Sequence, residues 1–98
     1  MNYPNIEFFS TEVDEYFSGE AKVDIAVHFD KDISVNCQLH VYCNWNNKQD
    51  EIEIDCFHIT NEYTESDNKY IEKAKEFIGK NIAYSKLSEL ILNEIYIT

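Results

Sequence analysis

Apolar and polar residues alternate most strictly between positions 22 and 55. Val23, Ile25, Val27 and Phe29 are interleaved with Lys22, Asp24, Ala26, His28 and Asp30, the period-two pattern of a strand with one buried face. Asp30-Lys31-Asp32 then makes a polar turn. Val35, Cys37, Leu39, Val41, Cys43 and Trp45 follow, interleaved with Asn36, Gln38, His40, Tyr42, Asn44 and Asn46. A second polar turn, Asn46 to Asp50, leads to Ile52, Ile54 and Cys56 set against Glu51, Glu53 and Asp55. Turns this short join antiparallel neighbours, so the three strands are expected to form a meander.

Beyond Thr60 the period changes. A polar connection from Asn61 to Asn68 offers Thr64, Ser66 or Asp67 as a helix cap. Tyr70, Ile71, Ala74, Phe77 and Ile78 recur at helical spacing, and Gly79 is placed to end that helix. Ser85 is a candidate cap for a second helix carrying Leu87, Leu90, Ile91 and Ile95, with the β-branched end at Ile95–Thr98 expected to leave it. The first twenty residues admit two readings. Phe9, Val13, Tyr16 and Phe17 fit one helical face, with Ser10 or Thr11 as cap and Gly19 as stop. Alternatively the stretch is a strand, with Ser18-Gly19 turning into the strand near Ala21. The helical reading is preferred. The expected fold class is therefore α+β: one domain, residues 1–98, with a three-stranded antiparallel meander covered by C-terminal helices and preceded by an N-terminal helix. No internal repeat or low-complexity segment interrupts it.

Charge alters this picture. The chain carries 19 Asp and Glu, 8 Lys and no Arg, for a net charge of −11. Residues 1–67 hold fifteen acids against three Lys, and residues 68–98 four against five. On the expected sheet the outward positions include Asp24, Asp30, Glu51, Glu53 and Asp55. The last three fall in one row about 6.8 Å apart, whose mutual repulsion costs stability unless something offsets it. Such a row can imitate a phosphate backbone for a protein built to hold nucleic acid. Acids on an edge strand also serve simply to prevent edge-to-edge aggregation. Direct binding of nucleic acid by this chain is disfavoured by its charge.

Catalytic and cofactor chemistry finds little support. Two Gly and one Pro leave almost no material for a phosphate loop. Cys37, Cys43 and Cys56, read as reduced thiols of a cytoplasmic protein, sit in no nucleophile motif, and buried thiols are inert. Cys37 and Cys43 on one strand lie about 20 Å apart, beyond disulfide reach. Cys43, Cys56 and His58 can face one another from adjacent strands, but their spacing fits no zinc pattern, and His40 points to the opposite face from Cys43. Trp45 is expected to cap the core rather than anchor a partner. No metal, cofactor or enzymatic activity is expected. No secretion signal or membrane span is expected either.

The expected order of elements resembles that of double-stranded RNA-binding domains, with Lys73-Ala74-Lys75 at the lysine-rich start of their last helix. The glycine-bearing loop before that helix is missing here and the sheet is acidic, so no RNA-binding residues carry over. Size, layout and acidity also look like those of small phage-encoded anti-restriction and anti-CRISPR inhibitors and of immunity proteins that neutralise nuclease toxins. That resemblance is one of character rather than motif. It implies a non-enzymatic acidic protein that blocks a basic, nucleic-acid-handling partner, through Asp24, Asp30, Glu51, Glu53 and Asp55. An immunity protein or antitoxin is the neighbouring reading. A structural module that self-associates as a homodimer through its helices is the reading from another class.

Overall fold

In the structure, a computed structural model that describes residues 3–14, 18–46, 48–49, 51–60 and 68–97, four strands precede two helices. They are β1 (Asn5–Val13), β2 (Glu20–Asp30), β3 (Ile33–Asn46), β4 (Glu51–Thr60), α1 (Asn68–Asn81) and α2 (Tyr84–Ile97). The sheet runs β1-β2-β3-β4, each neighbour antiparallel. The α+β class and the meander agree with the sequence pattern. The strand count does not: there are four strands rather than three, and Asn5–Val13 is a strand rather than a helix. Tyr16 and Phe17 of the expected helical face lie outside the described residues.

A β-bulge breaks the alternation of the first strand. Phe8 pairs with Ile25 and Ser10 with Asp24, which leaves Phe9 without an opposite number. The inward positions of β1 therefore run Ile6, Phe8, Thr11, Val13. A three-residue step in the middle breaks the alternation and mimics helical spacing. The other edge strand repeats the device. Tyr42 pairs with Cys56 and Cys43 with Ile54, so Asp55 is the extra residue of β4. Its inward set is Ile52, Ile54, Phe57 and Ile59. Cys56, expected inward, is consequently turned outward and exposed. The regular acidic row Glu51, Glu53, Asp55 is interrupted at its third member. These two bulges fall on edges, where they discourage pairing with another chain; a third register shift, at Phe29, lies at the β2–β3 hairpin end.

The core lies between the sheet and the helices. Val23, Ile25 and Val27 of β2, Val35, Leu39 and Val41 of β3, Ile78 of α1, and Leu87 and Ile91 of α2 are all fully buried. Cys37 and Cys43 are buried with them. α1 lies over β3, while α2 packs against both edge strands, β4 and β1. Ser88 of α2 donates to the Ile52 carbonyl at 2.9 Å, a bond that helps cover the β4 edge.

The helix ends also differ from expectation. Gly79 lies inside α1, exposed, and the helix continues to Asn81, whose amide donates to the Phe77 carbonyl at 2.9 Å. Ser85 lies within the first turn of α2, while the Ala83 carbonyl accepts from the Lys86 and Leu87 N–H groups. The β-branched C-terminus stays helical to Ile97. The candidate caps Thr64, Ser66 and Asp67 lie outside the described residues.

Gly19 has a backbone conformation that demands glycine. Its φ is +97°, its carbonyl accepts the Cys43 N–H at 2.8 Å, and a Cβ there would meet the Cys43 carbonyl oxygen at 2.9 Å. It brings the chain into β2 hard against β3.

Candidate partner-binding face

Both helices cover one side of the sheet; among the described residues no element covers the other, which is called the bare side below. The register assigns the bare side without ambiguity. Glu7 and Glu12 of β1, Glu20, Lys22, Asp24 and His28 of β2, His40 and Tyr42 of β3, and Glu51, Glu53 and His58 of β4 stand opposite the core-facing residues of their strands. Of the eight lysines, five are on the helices, Lys31 and Lys48 are in the two hairpin turns, and only Lys22 is on a strand. The strands carry eight carboxylates against that one lysine. The charge division seen along the sequence is thus a division between two layers of the fold.

The five carboxylates singled out from sequence occupy different settings. Asp24, half-buried at the middle of the sheet, accepts from Ser10 Oγ at 2.8 Å and from Gln38 Nε2 at 3.0 Å. Thr60 Oγ1 donates to the Gln38 carbonyl at 3.3 Å. Ser10, Asp24, Gln38 and Thr60 are register partners. They form one polar rung across all four strands, with the only carboxylate of the rung using both oxygens. Asp30 sits at the tip of the β2–β3 hairpin, where its carboxylate accepts the Lys31 N–H at 2.6 Å. Asp55, the bulge residue, accepts from Asn44 Nδ2 at 3.1 Å. Glu51 and Glu53 are exposed and face Asn46 and Asn44. Asp30 and the Glu51–Glu53 pair lie at opposite ends of the 14-residue β3, roughly 40 Å apart. The five are therefore not one patch.

Other carboxylates do group together. Glu12, Asp14 and Glu20 line a hollow of about 220 Å³ with Ala21, Lys22 and His40. Glu89 of α2 joins Glu51 and Glu53 around a cleft of about 390 Å³ beside the β4 edge. Glu7 holds His28 Nε2 at 2.8 Å. Sequence reasoning missed Glu7 and Glu12 because their segment was read as a helix. It missed Glu89 because only folding brings α2 beside β4.

Histidine and cysteine positions separate the three candidate ligands raised from sequence. Cys43 faces the core while Cys56 and His58 face outward, so the three do not converge. Among the described residues no group of three His, Cys, Asp or Glu is arranged to hold a metal ion. Burial pushes the Cys43 thiol up to about 11, with Asp55 adding to the effect. Burial raises Cys37 as well, against a small opposing pull from Lys75. Neither is a poised nucleophile. Trp45 keeps the inward register opposite Ile52 yet remains 37% exposed, so it closes the end of the core only in part. Among the described residues no helix is long and apolar enough to cross a membrane. Comparison of the chain with known protein families, curated protein sequences and solved structures finds no match to any of them.

Proposed function

We propose that this chain is a non-enzymatic acidic protein of the cytoplasm whose bare sheet face occupies the nucleic-acid groove of a basic partner and blocks it. The observation that carries the reading is the separation of charge between layers. Carboxylates populate an uncovered, hydrogen-bonded sheet on which Lys22 is the single cation, and the remaining lysines lie on the helices or in turns. A rigid array of this kind attracts a basic groove without new ordering of the chain, and its encounter with the partner is fast and salt-sensitive. Glu51, Glu53 and Asp55 form the end of the array nearest the β4 edge, with Asp24 holding the strands in register beneath it. An antitoxin or immunity protein that silences a nuclease would use the same face.

The test is titration against purified basic nucleases and DNA-binding proteins at low and high salt, with competing DNA. Charge reversal of Glu51, Glu53 and Asp55 together is expected to weaken binding by orders of magnitude and to flatten its salt dependence. Unchanged binding would refute the mimic. A salt-insensitive dimer in light scattering, with no affinity for any basic protein, would favour a self-associating structural module instead.

A further inference from the structure

The bare face also carries three ring side chains in contact. His40 stacks on Tyr42 with centroids 5.0 Å apart and planes 14° from parallel, and His58 meets Tyr42 edge-on at 5.5 Å. His40 and His58 are register partners on β3 and β4, while Glu20 is the register partner of Tyr42 on β2. Glu20 Oε1 lies 3.9 Å from His40 Nε2, and both side chains stay accessible, at 49% and 33%. Lys22 stands opposite His40, with Glu12 opposite Lys22 in turn. His40 and Tyr42 are half-buried and His58 is exposed; rings on an uncovered, otherwise acidic surface match no need of the core. Tyrosine at such a place is the residue type on which protein interfaces concentrate their binding energy.

We infer that His40, Tyr42 and His58, with Glu20 and Glu12 beside them, form the recognition point for an arginine side chain of the basic partner. A guanidinium is planar, stacks on aromatic faces and pairs with a carboxylate at its edge. Rings and a carboxylate stand together here, with Glu20 opposite Tyr42 and 3.9 Å from His40. Lysine, a compact and strongly hydrated charge, gains less from the rings. Nucleobases also stack on aromatic side chains, but their phosphates would meet the surrounding carboxylates. The inference rests on the function proposed above and specifies which partner side chain that face reads.

Fluorescence anisotropy with labelled octa-arginine and octa-lysine peptides tests it at low salt. The wild-type chain is expected to prefer the arginine peptide. Tyr42→Leu is expected to weaken that peptide's binding about fivefold to thirtyfold and to erase the preference, while Tyr42→Phe retains both. Should Tyr42→Leu lose its native circular dichroism, His40→Gln and His58→Gln report on the same rings. Equal arginine-peptide affinity in the folded ring variants would overturn the inference alone. So would a wild-type preference for single-stranded oligothymidine. Failure of the wild type to bind either peptide would overturn the proposed function with it.

Discussion

Replacing Asp24 with Ala tests whether the bare face is a built structure or a coat of solvated charge. Asp24 accepts two side-chain hydrogen bonds, at 2.8 Å from β1 and 3.0 Å from β3. Hydrogen bonds to a charged group are worth about 1.5–3 kcal/mol each. Ser10 is exposed and can turn to water, so its bond belongs at or below the low end. Gln38 is half-buried and loses more. Together the two give about 2–3 kcal/mol. Against this stands relief of repulsion from Glu12, which lies diagonal to Asp24 at about 7–8 Å, a repulsion of about 0.5 kcal/mol in water before screening. The net expectation is a loss of about 2 kcal/mol. In urea unfolding that lowers the midpoint by about 1–2 M at constant slope. A double-mutant cycle with Gln38→Ala should show coupling of at least about 0.5 kcal/mol. A midpoint shift below about 0.3 M, or no coupling, would show that the rung contributes nothing and that Asp24 is one more surface charge. Binding of basic peptides serves as the control. Once loss of stability is allowed for, Asp24→Ala should reduce it less than reversal of Glu51 and Glu53 does.

The two glycines and the three thiols supply further checks. Gly19→Ala forces a side chain into a φ of +97° against the Cys43 carbonyl and should cost about 1–3 kcal/mol in chemical denaturation. Gly79→Ala, inside α1 with open space around it, should instead stabilise by about 0.5–1 kcal/mol; opposite signs from the same substitution confirm the two backbone settings, and equal signs would contradict them. Under native conditions at pH 8 a disulfide reagent should titrate Cys56 rapidly. Cys43, its thiol held up near 11 and buried, and Cys37, likewise raised and buried, should react only as the chain unfolds. Two fast equivalents on a folded sample would mean that the β4 bulge does not set the faces as described.

The central strands were legible because their alternation is interrupted only at the hairpin end, where the register shifts at Phe29. β2 and β3 are flanked on both sides, so their inward residues are apolar throughout and their outward ones mostly polar. The helices were legible for the same reason at a different period. Charge composition pointed to a polarised molecule, and that too follows from residue content alone. The edge strands were not legible in this way. A bulge is a relation between a strand and its partner, and neither Phe9 nor Asp55 announces that it will be the extra residue. One insertion shifts every later side chain to the other face, which hid β1 behind a helical spacing and placed Cys56 on the wrong side. The acidic surface shows the same limit. Which acids exist is written in the chain. Which of them stand free, as Glu51 and Glu53 do, and which are tied into the scaffold, as Asp24 is by Ser10 and Gln38, depends on partners 14 residues away in either direction. Only strand pairing brings those groups within hydrogen-bond reach. The same pairing sets His40 against His58 and brings Glu20 to Tyr42, because register, not sequence distance, decides which side chains share a face.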